Sequence, residues 1–227
     1  MKPHDTLRRL DRLIQSRSIL LHPFYVAWQR GELTRDQLAT YARMYYPHVA
    51  SFPRYLKSAA DCADDSSVRS VLEQNLADEI GHPKPHNELW LDFAEGLGLE
   101  RMSVAGAAAQ PAAENIVNTF DRLTGSDAAR ALAALYAYES QQPEVSQQKA
   151  KGLRQHYGVD SFTALAYFEV HAETDVHHRN GERCALARCL ATGASPDASL
   201  DSAKEALAAY WGLLDGVCEE AATHVPC

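Results

Sequence analysis

The sequence has few features that would direct the chain to a membrane or to nucleic acid. None of its 227 residues form a run approaching the ~20 apolar residues of a membrane span, and the first residues lack the apolar segment of a secretory signal. The 22 Lys and Arg residues are outnumbered by 30 Asp and Glu residues, giving a formal net charge of −8. Such an acidic chain does not favour nucleic acid as a partner. We therefore expect a soluble, cytoplasmic protein.

The sequence also lacks the cysteine pattern of a disulfide framework. Its five cysteines are an odd number, and none of them have Cys-x-x-Cys spacing. We expect them to be reduced, as in a cytoplasmic protein. Alternating strand patterns, internal repeats and flexible linkers are absent as well. With 46% hydrophobic residues, the chain can bury the core of one domain over residues 1–227.

What the sequence does contain is helical periodicity along nearly its whole length. Thr34 and Gln37 have the spacing of a capping box, so a helix should begin there, and Pro47 and Pro53 should kink it. We read residues 99–112 as a connection. The pattern predicts an all-α bundle with helices near 5–16, 22–31, 34–63, 66–80, 86–97, 113–124, 127–157, 161–191 and 200–222.

The stretch YFEVHAETDVHHRNGE, residues 167–182, combines three histidines with four carboxylates. On a helix, His171, Asp175 and His178 fall within an arc of roughly 60°, at the margin of the apolar stripe. Glu173 and His177 project to the other side. The inner set indicates metal ligands, although a His-x-x-x-Asp pair on a helix can also be a surface ion pair.

Two further carboxylates are predicted to lie on core-facing helix stripes. Glu139 lies in the middle of an apolar face of the 127–157 helix, and Glu79 continues the line of Val68 and Leu72. An unpaired buried carboxylate is costly, so each should be paired, protonated or bound to a cation. Mixed imidazole and carboxylate ligands suit iron or manganese, and helix bundles often house di-metal centres. A salt bridge for Glu79, or an arginine such as Arg54 for Glu139, is the alternative.

Several segments together resemble one known family. They are HPFYVAWQRG, NLADEIGHPKPHNELW, ALYAYESQQPEVSQQKAKG and YFEVHAETDVHH. The chain resembles CADD-type proteins, a family with the heme-oxygenase-like fold that includes p-aminobenzoate synthases. The resemblance implies a seven-helix bundle, usually dimeric, with a di-metal centre of iron, alone or with manganese. It also implies that O₂ and an external reductant are used to make p-aminobenzoate for folate without chorismate.

The resemblance assigns six metal ligands, and this chain has all of them. One ambiguity remains, because Glu79 and His82 have the Glu-x-x-His spacing of ferritin-like di-metal helices. The alternative, His86, follows a segment in which Gly81, Pro83 and Pro85 interrupt the helix. We follow the resemblance, whose ligands are Glu79, His86, Glu139, His171, Asp175 and His178.

The resemblance also implies that one of the protein's own tyrosines is consumed and that a lysine donates nitrogen. The corresponding residues are Tyr25, with Tyr41 as a second participant, and Lys149. From spacing alone, such tyrosines are usually core residues. Lys149 would be an ordinary surface lysine, and on a straight helix its Cα would lie ~15 Å from that of Glu139.

Three other classes of function compete with this interpretation. A related di-metal oxidase acting on a diffusible fatty acid or amine would use the same six ligands. TenA-like enzymes with a cysteine nucleophile and metal-free PqqC-like oxidases share the fold, but the intact ligand set argues against both. A non-enzymatic helical binding module would leave the predicted buried ligands unexplained.

Overall fold

The computed structural model describes residues 2–81 and 84–223, and within them the chain forms helices and no strand. The prediction of an all-α fold is confirmed. None of the described helices is both long and apolar enough to cross a membrane. His82, the alternative ligand, lies outside the described residues.

The described residues form more helices than the seven that the resemblance implied. Short helices and a break near Glu139 account for the difference, and the segment 99–112 contains a helix of its own. The α-helices are α1 (Pro3–Ser16), α2 (Pro23–Arg30), α3 (Arg35–Asp61), α4 (Ser66–Glu79), α5 (His86–Gly96), α6 (Arg101–Ala105), α7 (Pro111–Thr124), α8 (Ala128–Glu139), α9 (Gln142–Gly152), α10 (Phe162–Ala191) and α11 (Pro196–Thr223).

Side-chain caps fix the starts of three of the four helices that carry the predicted ligands, the exception being α5. Asp65 accepts a hydrogen bond from the Ser67 backbone at the start of α4. Asp127 caps α8, and Ser161 caps α10. Each cap of this kind contributes about 1 kcal/mol to helix stability. The capping box of Thr34 and Gln37 is also present, and α3 continues through both of its prolines.

The prediction of a single helix over residues 127–157 is wrong. α8 ends at Glu139, α9 begins at Gln142, and a π-helical turn follows at Leu153–Tyr157. Pro143 lies in the first turn of α9, where its missing N–H leaves no intrahelical acceptor unsatisfied. The break places Glu139 at a helix end and gives the segment after it a direction of its own.

α10 is the helix against which the others assemble. It packs against α4, α5, α8 and α9, while α11 packs against α3, α7 and α8. Between them lies an aromatic core that includes Trp28, Trp90, Tyr25, Tyr41 and Tyr45, all nearly inaccessible to solvent. Every helix that carries a predicted metal ligand is therefore α10 itself or one of its direct neighbours.

Close approach of α5 and α10 depends on Gly96. A Cβ atom at this position would lie 2.4 Å from Ala164 Cβ, so the two helices would have to move apart. We expect Gly96→Ala to lower the free energy of unfolding by roughly 1–3 kcal/mol, as overpacking does. Urea unfolding followed by circular dichroism would measure it.

Gly212→Ala is the matched control, because nothing lies within 4 Å of a Cβ at this helical position. Replacement of glycine by alanine inside an open helix should stabilise the protein by up to about 1 kcal/mol. Equal unfolding midpoints for the two variants would contradict the close packing of α5 on α10.

Candidate metal centre

The first group of potential ligands lies where α4 ends and α5 begins. Glu79 is the last residue of α4, His86 is the first of α5, and His171 comes from α10; their ligand atoms lie within 4.8 Å of one another. Glu79 Oε1 is 2.9 Å from His86 Nδ1 and 3.8 Å from His171 Nε2. The buried His86 Nδ1 has no hydrogen-bond partner with suitable angles. A cation between the three side chains would satisfy it.

The second group joins the end of α8 to the next two turns of α10. Glu139, Asp175 and His178 again place one ligand atom each within 4.8 Å of the others. His178 Nδ1 lies 3.1 Å from Asp175 Oδ1 and 3.7 Å from Glu139 Oε1. Asp175 Oδ2 is buried without a hydrogen-bond partner. All six residues assigned by the resemblance thus occur in two adjoining buried triads.

The ring nitrogens that face away from the triads are also held in place. His171 Nδ1 lies 2.7 Å from the Tyr167 carbonyl oxygen, and His178 Nε2 lies 3.0 Å from Asp78 Oδ2. Metal-binding histidines usually have such a partner, which fixes the ring and its tautomer. His171 Nε2 and His178 Nδ1 are left facing the carboxylates. The histidine orientations therefore fit metal coordination.

The pKa values of the second triad show how strongly its charges interact. Burial raises the pKa of Asp175 to about 7. Burial opposes a charge on His178, but its attraction to the nearby carboxylates of Asp175 and Glu139 outweighs burial and raises the pKa of His178 to about 11. In the first triad, burial lowers the pKa of His171 well below its usual value. The carboxylates thus attract positive charge, which a divalent cation can provide.

Two polar residues that support Glu139 were not predicted from the sequence. Asn75 Nδ2 donates to both Glu139 oxygens, at 3.1 and 3.0 Å. Glu182 is fully buried, and burial together with the Glu139 charge raises its pKa well above the usual value. Glu182 follows His178 by four residues, so the helical spacing alone could have identified it. Asn75 precedes Glu79 by four residues on the same buried face of α4 and could have been identified in the same way, whereas no such signal marks Asp78.

The structure also tests the predicted orientation of the polar side chains on α10 and the predicted partner of Glu139. Glu173 and His177 are exposed, as predicted, while the three inner residues of α10 are buried. The suggestion that Arg54 satisfies Glu139 is wrong. Arg54 forms an exposed ion pair with Asp121, at 2.7 Å, because it lies on the outer face of α3.

Lys149 is buried, so the surface location expected from spacing alone is wrong. Its side chain is 1% exposed, and its Nζ lies 5.1 Å from the ring centre of Tyr25 and 5.4 Å from that of Tyr41. Trp28 covers this part of α9 by donating from Nε1 to the Lys149 carbonyl oxygen, at 3.2 Å. Gly152 permits that approach, since a Cβ there would lie 2.7 Å from the Trp28 ring.

The three residues assigned to tyrosine chemistry therefore lie together. The Tyr25 and Tyr41 hydroxyls are 3.1 Å apart, and both side chains are buried. Burial lowers the pKa of Lys149 well below its usual value, which favours the neutral amine. Their roles in a reaction stay a prediction, but their proximity to one another is a property of the fold.

A small cavity lies against the two triads. Its volume is about 10 Å³, which is the lower limit for a single water molecule. Pockets for drug-sized ligands typically have about 300 Å³ or more, and a cavity that binds a small aromatic molecule such as benzene has about 150 Å³. The cavity is lined by Val49, Phe52, Glu79, Tyr138, Glu139, Tyr167, His171 and Asp175.

An all-α fold with two adjoining triads of histidine and carboxylate side chains defines a helical protein with a candidate di-metal site. The chain belongs to the family of iron-containing redox enzymes, whose profile matches residues 39–211. This match confirms the resemblance to heme-oxygenase-like proteins, and it identifies the protein as a redox enzyme.

Relatives in the same family carry a more specific name. The chain is 39% identical to 4-aminobenzoate synthase of Chlamydia muridarum, over 95% of this chain and 91% of the relative. It is 35% identical to 4-aminobenzoate synthase of Nitrosomonas europaea, over 97% and 94% of the two chains. Among solved structures, a CADD-like protein from Nostoc punctiforme has a TM-score of 0.78 at 19% identity, covering 96% of this chain and 98% of that one.

The six assigned ligands can be tested by measuring bound metal. Glu139→Ala, His86→Ala and His171→Ala should each lower the iron or manganese content sharply, because each variant removes one member of a triad. Mass spectrometry of the metals after anaerobic loading would measure this directly.

Exposed residues on α10 provide the controls. Glu173→Ala and His177→Ala should leave the metal content nearly unchanged, since both side chains point to solvent. Equal losses in inner and outer variants, or no loss in any of them, would contradict the ligand assignment. Loss of metal in His82→Ala but not in His86→Ala would contradict the assignment of His86 as a ligand.

Asp78 offers a test of the contacts around the ligands. Asp78→Asn should weaken metal binding about tenfold or more, because it removes the carboxylate that holds His178 Nε2. Calorimetric titration with Mn²⁺ would measure the affinity. Glu73→Gln removes an exposed carboxylate from the same helix and should have no effect; comparable weakening in both would indicate a general charge effect.

Proposed function

We propose that this chain is an oxygen-dependent di-metal oxidase that forms p-aminobenzoate from its own Tyr25, with Lys149 as the nitrogen donor. One observation carries the proposal: a lysine amine and a tyrosine ring lie together in a closed aromatic chamber, while the cavity at the triads is only about 10 Å³. An aromatic substrate does not fit that cavity. Residues of the protein itself are the aromatic groups within reach.

The two triads would hold the metal ions. Glu79, His86 and His171 would bind one, and Glu139, Asp175 and His178 the other. Bound iron, alone or with manganese, supplies O₂ activation and one-electron oxidation, which side chains do not perform by themselves. His86 Nδ1 and Asp175 Oδ2 support this fit, because both are buried potential ligand atoms without a hydrogen bond of suitable geometry.

The protein's own residues would position and protect the reacting groups. Tyr25 is held between Phe24, Trp28 and Tyr41, with ring centres 5.5 to 6.3 Å apart, and its hydroxyl bonds that of Tyr41. Burial lowers the pKa of Lys149 well below its usual value, which would favour the neutral, nucleophilic amine. Covalent attachment to the chain gives both groups a high effective concentration without a binding step.

The proposal also covers the product, the reductant and the oligomeric state. The relatives named 4-aminobenzoate synthase support p-aminobenzoate as the product. This compound would supply folate synthesis by a route without chorismate. We further propose that an external reductant returns the metals to the state that reacts with O₂, and that the protein acts as a homodimer.

Isotope labelling provides the decisive experiment. Protein containing ring-labelled tyrosine, loaded with metal and exposed to O₂ and a reductant, should release labelled p-aminobenzoate in no more than stoichiometric yield. Tyr25→Phe should bind metal normally and form at least roughly tenfold less product, since it keeps the ring but loses the oxidisable phenol. Mass spectrometry of product and protein would measure both.

The nitrogen donor is tested in the same assay. Lys149→Met should keep the metal and lose the product, because methionine fills a similar buried volume without an amine. Lys151→Met, two residues away and exposed, should behave like the unaltered protein. Full activity of Tyr25→Phe, or many turnovers of an added fatty acid or amine, would instead establish an oxidase acting on a diffusible substrate.

A cysteine-dependent reaction like that expected for TenA-like enzymes has less support. Cys62 and Cys189 line a separate cavity of about 410 Å³, which includes none of the six triad residues. Burial raises the pKa of Cys189, which disfavours the thiolate that a nucleophile requires.

A further inference from the structure

The short helix that carries Tyr25 begins at a buried histidine. His22 is the N-cap residue of α2 and is 1% exposed. Its Nδ1 accepts a hydrogen bond from the backbone N–H of Phe24, at 3.1 Å, and its Nε2 lies 3.0 Å from Asp215 Oδ1 in α11. Because Nδ1 is the acceptor, the ring hydrogen lies on Nε2 and is donated to Asp215. A neutral imidazole therefore joins the first turn of α2 to α11.

The chain that leads into α2 is also held in place. Trp211 of α11 packs edge-on against the His22 ring, with ring centres 4.9 Å apart, and its Nε1 donates to the Arg17 carbonyl oxygen, at 2.9 Å. Gln141, at the break between α8 and α9, accepts a hydrogen bond from the Ile19 backbone, at 2.8 Å. These two hydrogen bonds join residues 194 and 122 positions apart in the chain. The tertiary structure therefore fixes where α2 begins.

The start of α2 matters because Tyr25 follows His22 by three residues. The helix has eight residues, and helices shorter than about 12–15 residues are marginal in isolation. Its position therefore depends on contacts with the rest of the protein. The Tyr25 ring centre lies 5.1 Å from Lys149 Nζ, an atom that α9 contributes. A shift of the first turn of α2 would change the separation of the two groups proposed to react.

A histidine at this position does more than a helix cap requires. Serine, threonine, aspartate and asparagine are the preferred N-cap residues, and their short side chains satisfy one backbone N–H. A buried imidazole must be desolvated, which is offset when both of its nitrogens are bonded. Burial lowers the pKa of His22, although the nearby Asp215 opposes the shift, and this favours the unprotonated acceptor nitrogen. The ring thus combines a local cap with a bond to a distant helix.

The other end of α2 is joined to α9 and the π-helical turn after it. Trp28 Nε1 donates to the Lys149 carbonyl oxygen, at 3.2 Å, and the Trp28 carbonyl oxygen accepts from the Tyr157 hydroxyl, at 3.1 Å. Trp28 follows Tyr25 by three residues, so the two anchored residues lie on either side of the tyrosine. Contacts at Trp28 alone would leave the first turn of α2 free to shift.

We infer that His22, held by Asp215, is a positioning residue that fixes the first turn of α2 and thereby places the Tyr25 ring against the Lys149 amine. This inference rests on the proposed function. His22 acts through the backbone of α2 and takes no part in the covalent steps. Its effect is large because a displacement of about 1 Å between reacting groups can slow a reaction roughly 100-fold.

The test counts both of the residues that the proposed reaction consumes. His22→Asn keeps an N-cap acceptor but is too short to bond Asp215, and Asp215→Ala removes the same bond from the other side. Both variants should bind metal normally and, after exposure to O₂ and a reductant, form roughly tenfold less p-aminobenzoate or lower. Peptide mass spectrometry should find equal alteration of Tyr25 and Lys149 in the unaltered protein. In both variants it should find more Tyr25 than Lys149 altered, because a displaced phenol stays oxidisable.

Glu219→Ala is the matched control, since it removes an exposed carboxylate one turn after Asp215 on α11. It should form product like the unaltered protein. The double variant His22→Asn with Asp215→Ala should lose no more product than either single variant, because all three lack the same hydrogen bond. Losses that multiply in the double variant would overturn the inference, as would an equal loss in Glu219→Ala.

The same measurements separate this inference from the proposed function. If unaltered protein forms no p-aminobenzoate and its Tyr25 stays intact, the proposed function fails. If unaltered protein forms the product and both single variants form it equally well, only the positioning role fails. Reduced product with equal alteration of Tyr25 and Lys149, or loss of metal binding in both variants, would also overturn that role, because His22 would then be a general structural residue.

Discussion

Buried carboxylates impose the main electrostatic constraint on the interior of this protein. Glu79, Glu139, Asp175 and Glu182 are removed from water between α4, α8 and α10, and anions in that environment need protons, hydrogen bonds or cations. The surrounding residues reflect this need: His86, His171 and His178 face the acids, and Asn75 donates to both oxygens of Glu139. The break after Glu139 and the close packing of α5 on α10 bring these groups together.

The aromatic side chains around Lys149 bury a basic group, whereas the triads bury acidic groups. Here a single amine lies among the rings of Tyr25, Tyr41, Tyr45 and Phe168, at 5.1 to 5.7 Å from their centres. Aromatic faces attract a cation only weakly compared with a carboxylate, so burial dominates and the neutral amine is favoured. The fold thus places a cluster of carboxylates and a lysine whose neutral form is favoured in the same core.

Much of the candidate metal site could be predicted because helical spacing is a local property. The spacing of 3, 4 and 7 residues put His171, Asp175 and His178 on one face of α10, and their burial agrees. The same spacing would have placed Glu182, four residues after His178, on this face as well. Lys149 could not be placed in this way. Its burial depends on Trp28, which is 121 residues earlier in the chain, and on the end of α8 at Glu139.

The sequence by itself determined the all-α fold, most helix ends and the helix face of five of the six candidate ligands, the exception being His86. These follow from interactions within a few residues: capping side chains, proline and glycine breaks, and a period of 3.6 residues. Only the tertiary structure decided which helix faces meet, that the ligands form two triads, and that tyrosines from α2, α3, α8 and α11 lie within hydrogen-bonding reach. Distances between helices depend on side chains far apart in the chain, whose packing local periodicity does not describe.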